Sequence, residues 1–180
     1  LFDLDNTLID SDAIKRIALQ RCGCEEIENL SPGELRHLSP PKLLARFDLD
    51  TTMDKYWGHY ISVLKDSGRL LDVDIPIVLE KLRLSGVKIG LVTSSPRRPT
   101  QAALSHFRID NVFEECTITW SRNLPSKPKP DPILKALDTL NHDATSAVYV
   151  GDSSTDLEAS RAAYVDFAIA SWSAMPDEDL

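Results

Sequence analysis

The chain has 180 residues, of which 42% are hydrophobic and 27% charged, enough for one domain with a sizeable core and a small insert. Its formal net charge of −8 argues against a nucleic-acid partner, because a phosphate backbone is met by a basic surface. No apolar run approaches the roughly 18 residues of a membrane span, so no membrane partner is expected, and nothing in the sequence indicates an oligomeric state.

Leu1 to Leu4 reads as the end of a buried strand and Asn6-Thr7 as the turn after it. Leu1 begins in mid-strand, so further residues are expected upstream. A strand that ends between Asp3 and Asp5 can aim both carboxylates at its C-terminal edge, where open α/β sheets bind ligands. The plain alternative is an Asp-rich turn after an edge strand.

After Asp10-Ser11 the pattern is helical, with Ile14, Ile17, Ala18 and Cys22 on one face. Ser31-Pro32-Gly33-Glu34 carries a helix-start signature, with a capping Ser, Pro at the first position and Glu at the third. Ser39-Pro40-Pro41 opens another short helix with Leu43, Leu44 and Phe47 as its apolar residues. Asp50 or Thr51 would cap a longer one bearing a stripe of Met53, Trp57, Tyr60, Ile61 and Leu64, which Gly68 ends. Residues 11–71 are therefore expected to form a small all-helical insert, with residues 1–10 and 72–180 forming a discontinuous core.

Strands and helices then alternate. Ile77, Val78, Leu79 and Leu82 suit a helix stopped near Gly86. Val87 to Val92 is a β-prone run that Thr93-Ser94-Ser95 ends. Arg97 to Phe107 reads as a helix with Ala103, Leu104 and Phe107 inward, and Cys116 to Trp120 is again β-prone. Lys127 and Lys129 lie in a proline-stiffened loop. Asp131-Pro132 caps a helix with Ile133, Leu134, Leu137 and Leu140, Ala147 to Val150 is a buried strand, and a helix through Leu157, Arg161 and Ala162 leads to a last strand, Phe167 to Ala170. Pro176-Asp177-Glu178 reads as the opening of a further helix, so the C-terminal end is also expected to continue. This alternation implies an α/β fold with a mainly parallel sheet.

Four strand-end or loop motifs fall in order: Asp3-x-Asp5-x-Thr7, Thr93, the Lys127 of Lys-Pro-Lys-Pro-Asp-Pro, and Gly151-Asp152-x-x-x-Asp156. Together they resemble the haloacid dehalogenase-like (HAD) superfamily, mostly phosphohydrolases, in the subfamily that includes phosphoglycolate phosphatase and β-phosphoglucomutase. The resemblance spans nearly the whole chain outside the insert. It implies a Rossmann-like three-layer core with a helical cap inserted after the first motif, which would set specificity.

The chemistry that the resemblance implies suits these residues. Asp3 would attack phosphorus and form an aspartyl-phosphate, splitting one hard step into two. Asp5 would protonate the leaving oxygen and later take a proton from water. Thr93, the amide of Ser94 and Asn6 would hydrogen-bond the phosphoryl oxygens, and Lys127 would neutralise Asp3 and the charge that develops on them. Like charges about 4 Å apart repel by about 4 kcal/mol at an effective dielectric of roughly 20, so Asp3, Asp5, Asp152 and Asp156 in one pocket require cations. The implied metal is Mg²⁺, held by Asp3, the carbonyl of Asp5, and Asp152, with Asp156 supporting a metal-bound water or the lysine. The expected partner is a small phosphorylated metabolite. Tyr164 departs from the family pattern, which has glycine where the preceding helix stops.

Other readings stay open at this level. A phosphomutase would use the same Asp3 and Asp5 but exclude water. Receiver-type signalling modules also combine acids, Thr/Ser and Lys on a parallel sheet, but in another order and without the insert. A dehalogenase would lack the second acid that Asp5 supplies. No histidine is placed to activate Ser94, Ser95, Ser153 or Ser154. Cys22-Gly23-Cys24 could be read as a redox or metal pair but better fits two small buried residues near a helix end, and with Cys116 the odd count without regular spacing points to reduced thiols and a cytoplasmic setting.

Overall fold

The structure, a computed structural model, describes residues 1–172. The helix start expected at Pro176 lies outside them. The chain forms two compact units, one from Leu1–Ile9 with the chain from Leu70 onward, the other from Asp10–Arg69.

The first unit is built on parallel strands. β1 (Leu91–Pro96) pairs with β2 (Thr117–Trp120), and β3 (Val148–Gly151) with β4 (Asp166–Ile169), both in parallel. The N-terminal segment joins the two pairs, since Phe2 bridges Leu91 on one side and Val150 on the other, again in parallel. Main-chain bonds complete the junction: Phe2 N–H to Gly90 O and Asp3 N–H to Val150 O, each 2.9 Å. The spatial order is therefore β2, β1, the N-terminal segment, β3, β4. Successive strands run outward from the N-terminal segment first to one side and then to the other. The strand ends part between that segment and β3, the place where such sheets bind ligands.

Helices cover this sheet as the alternation predicts. α7 (Asp131–Leu140) packs on β1 and β2, and α8 (Ser154–Ala162) on β3 and β4. Their inward residues, Ile133, Ala136, Leu137, Leu140 and Ala159, form one apolar cluster with Val92, Tyr149 and Val165. Burying a side chain such as Ile133 or Leu137 contributes about 1.5–3 kcal/mol. Leu134 faces outward instead, because the buried stripe of α7 runs through Ile133, Ala136, Leu137 and Leu140. α5 (Ile75–Leu84) likewise buries Ile75 and Leu79 and exposes Ile77 and Val78, one phase away from the expected face. β1 differs in its bounds: it starts at Leu91 and carries on through Thr93-Ser94-Ser95, with its register interrupted before Pro96. α6 (Arg97–His106) follows it directly, with Ala103 and Leu104 buried.

The second unit is helical. α1 (Ser11–Arg21) packs against α4 (Met53–Ser67), with α2 (Pro32–His37) and α3 (Pro40–Arg46) between them in the chain. α2 begins with the expected capping box, Ser31 and Glu34 each bonding the other's backbone. α1 buries Ile14, Ala18 and Leu19, whereas Ile17 is on its exposed side. α4 is capped by Thr52 rather than Asp50 or Thr51, and its buried face is Tyr56, Tyr60, Val63 and Leu64. Two apolar stripes overlap on this helix, and the one through Trp57 and Ile61 is only partly covered. Gly68 ends α4 without a left-handed turn, at φ −62°. A Cβ there would lie 2.3 Å from the carbonyl oxygen of Leu64. No helix among the described residues is long and apolar enough to cross a membrane.

Tyr164 sits just past α8 at φ 56°, in the left-handed region, with 86% of its surface exposed. Its side chain gains little there, and its Cβ makes the conformation costly. Tyr164→Gly is expected to stabilise the protein by about 1 kcal/mol, read as a higher urea midpoint at unchanged slope.

Candidate active site

The first two acids leave the sheet in a tight turn. Asp3 is the last residue tied to β3, and the Leu4 carbonyl then gathers the N–H groups of Thr7, Leu8 and Ile9 at 3.4, 3.0 and 3.1 Å. Asn6 closes this turn at φ 57°, a conformation that Asn tolerates better than most residues. Its main-chain N–H is given to Ile9 O at 2.8 Å.

β1 brings hydroxyls to Asp5. Ser95 Oγ donates to Asp5 Oδ2 at 2.7 Å and Thr93 Oγ1 donates to the same oxygen at 3.3 Å, while the Ser95 N–H donates to Thr93 Oγ1 at 3.0 Å. Thr93 and Ser95 are two apart on a strand and so share a side. Ser94 lies exposed between them.

β3 delivers the second acidic pair. Asp152 follows directly from the strand, is buried, and accepts from Thr7 Oγ1 at 3.4 Å. Ser153 caps α8 and holds Asp156 reciprocally: its N–H and Oγ donate to Asp156 Oδ2 at 3.2 and 2.6 Å. Gly151 is required by this packing, since a Cβ on it would meet the Asp156 side chain at 2.7 Å.

Lys127 enters from the loop between β2 and α7, and its side chain is only 5% exposed. Its ammonium donates to Asp156 Oδ1 at 2.6 Å, Asp3 Oδ1 at 2.7 Å and the Tyr149 hydroxyl at 2.8 Å, with the Val92 carbonyl at 3.3 Å. Asp3, Asp152 and Asp156 each bring a carboxylate oxygen, and the three atoms lie within 4.8 Å of one another.

One ammonium thus faces three buried carboxylates. Burial pulls the Lys127 pKa down, but Asp156 and Asp3 outweigh it and hold it well above its usual value. Asp3 also moves up, well above the carboxylate range. Burial is the main cause, and the repulsion from Asp156, Asp152 and Asp5 adds to it against the single cation that Asp3 shares with Asp156. The excess of buried negative charge and the all-oxygen donor set fit a small hard cation such as Mg²⁺. Asp3 and Asp152 could each offer such a cation an oxygen, whereas both oxygens of Asp156 are already engaged by Lys127 and Ser153.

Asp3, Lys127, Asp152 and Asp156 therefore come together in one cluster. Asp5 stands beside it, with its carboxylate turned to Thr93 and Ser95. Two participants were not anticipated from sequence, Ser95 and Tyr149. Ser95 could have been found from its two-residue spacing to Thr93. Tyr149 could have been found from the rule that a buried tyrosine hydroxyl seeks a partner.

The family model described as haloacid dehalogenase-like hydrolase matches residues 1–170. Pyrophosphatase PpaX of Bacillus pumilus is 30% identical, over 100% of this chain and 86% of that protein. Phosphoglycolate phosphatase of Aquifex aeolicus is 28% identical, over 96% of this chain and 84% of that protein. Among solved structures, CbbY from Rhodobacter sphaeroides in complex with phosphate superimposes with a TM-score of 0.77 at 18% identity, covering 93% of this chain and 83% of that one, and shows the fold.

Proposed function

The chain belongs to the haloacid dehalogenase-like hydrolase family, among its phosphatases, and we propose that it cleaves a small phosphate monoester in two steps through an aspartyl-phosphate on Asp3. The observation that carries this reading is the ammonium of Lys127 lying 2.7 Å from Asp3 and 2.6 Å from Asp156, with Asp152 in the same buried cluster.

In the first step an Asp3 oxygen attacks phosphorus, the bond from phosphorus to the leaving oxygen breaks, and Asp5 gives that oxygen a proton. In the second, water attacks phosphorus, Asp5 takes its proton, and the bond to Asp3 breaks, which restores the carboxylate. Lys127 orients Asp3 and offsets charge on the transferring group. Thr93 has one hydroxyl proton and donates it to Asp5 in the structure. Giving it to a phosphoryl oxygen would remove the longer of the two hydroxyl bonds on Asp5 and leave Ser95 to orient that carboxyl at 2.7 Å. Asp3, Asp152 and the Asp5 carbonyl would hold Mg²⁺, which when bound neutralises the phosphoryl oxygens and the clustered carboxylates. The free thiols of Cys22, Cys24 and Cys116 suit a reducing compartment such as the cytoplasm.

The test is phosphate release from a panel that includes phosphoglycolate, pyrophosphate and sugar phosphates, with Mg²⁺ and with excess EDTA. The names of the relatives above make phosphoglycolate the leading monoester and pyrophosphate, an anhydride open to the same attack at phosphorus, the leading alternative. Turnover is expected to fall at least about 100-fold in EDTA and to return with Mg²⁺. Release that is indifferent to EDTA would sink the metal assignment, and a folded protein with no release from any compound of the panel would sink hydrolysis.

A further inference from the structure

We propose that Tyr149 is a positioning residue for Lys127, its hydroxyl fixing the direction in which the ammonium presents its protons to Asp3. The inference rests on the phosphoryl-transfer reading above and deepens it. Tyr149 is fully buried in β3. Its hydroxyl donates to the Val92 carbonyl of β1 at 2.8 Å and accepts from Lys127 at 2.8 Å, with Asp156 Oδ1 at 3.3 Å. An ammonium has three protons. Here four acceptors compete for them: Asp156, Asp3, the Tyr149 hydroxyl, and the Val92 carbonyl at 3.3 Å.

The hydroxyl resolves this competition. By donating to the Val92 carbonyl at 2.8 Å it satisfies that acceptor and leaves Lys127 only a long contact to it, at 3.3 Å. By accepting the third ammonium proton it leaves the other two for Asp3 and Asp156. The Lys127 nitrogen also lies 5.4 Å from the centroid of the Tyr149 ring. A phenylalanine keeps that ring contact and the packing, and removes the hydroxyl alone. The Val92 carbonyl then keeps Lys127 as its donor without the hydroxyl, so the third ammonium proton goes to it and the ammonium shifts away from Asp3.

A merely structural tyrosine would affect stability and leave turnover per folded molecule unchanged. A positioning one affects the chemical step and not substrate affinity, because Tyr149 itself touches no substrate. With Mg²⁺ and the best ester of the panel, Tyr149→Phe is expected to lower kcat about tenfold while KM stays within about twofold. An unchanged kcat would overturn the proposal while wild-type turnover left the phosphatase reading standing. If the wild type releases no phosphate, the phosphoryl-transfer reading fails separately, and a thermal double-mutant cycle with Lys127→Ala decides the contact. The drop in Tm caused by Tyr149→Phe should shrink once the lysine is absent, and an equal drop in both backgrounds would overturn the proposal.

Discussion

Asp3→Asn is expected to abolish phosphate release, by at least about 10⁴-fold, without lowering the Tm. An amide is a poor nucleophile toward phosphorus, so the covalent step has no starting point. The fold should not suffer, because burial, with repulsion from Asp156, Asp152 and Asp5, already disfavours the charged form of Asp3. Making it neutral removes one repelling charge, and Lys127 keeps Asp156 at 2.6 Å as its partner. The same argument gives a pH dependence. In the metal-free protein the folded-state pKa of Asp3 lies above its unfolded value. Stability from this group is therefore fully present below the ordinary carboxylate range and is lost as pH rises through the folded value. Wild type without metal should lose Tm over that rise, and Asp3→Asn should lose less. Loss of activity together with a large fall in Tm would mean that Asp3 is needed for folding and would remove the ground for calling it the nucleophile.

Lys127→Ala is expected to behave in the opposite way on stability. Turnover should drop about 10³-fold, since the cation that orients Asp3 and meets the developing charge is gone. The folded state should also weaken by about 3 kcal/mol, because Asp3 and Asp156 are left buried without their shared partner. Mg²⁺ should return part of that stability but little of the activity. Urea denaturation of the variant with and without Mg²⁺ checks this, and a stability equal to wild type in metal-free buffer would contradict the ion-pair geometry.

These two variants separate what was legible in the sequence from what was not. The convergence of the acids with Lys127 could be read from the chain because each motif follows a β-prone run, and a parallel sheet brings the ends of such runs to one edge. Helix starts were legible where capping chemistry is local, as at Ser31 and Glu34. Helix faces were less so: Ile17, Ile77, Val78 and Leu134 turn outward, because apolar residues outnumber the positions that tertiary packing covers and periodicity alone does not fix the phase. The N-terminal segment pairs with the sheet through isolated bridges at Phe2, yet it joins both halves of the sheet, a role that depends on partners some 90 and 150 positions away. Tyr149 reads as one more apolar strand residue, and its role depends on where Lys127 arrives from a distant loop. Ser95 is hidden because the β-prone run reads as Val87 to Val92 with Thr93-Ser94-Ser95 ending it, whereas β1 continues to Pro96 and turns Ser95 back toward Asp5. Tyr164 stands out in the sequence only against the family pattern, which has glycine where the preceding helix stops, and it does adopt the left-handed conformation that such a helix end favours, at φ 56°.

The most direct test of the two-step account is the stereochemical course at phosphorus, followed with a substrate made chiral there by oxygen isotopes and sulfur. Attack by Asp3 inverts the centre once and attack by water inverts it again, so the account predicts net retention in the released phosphate. Net inversion would mean that water attacks the ester directly, and would contradict an aspartyl-phosphate on Asp3.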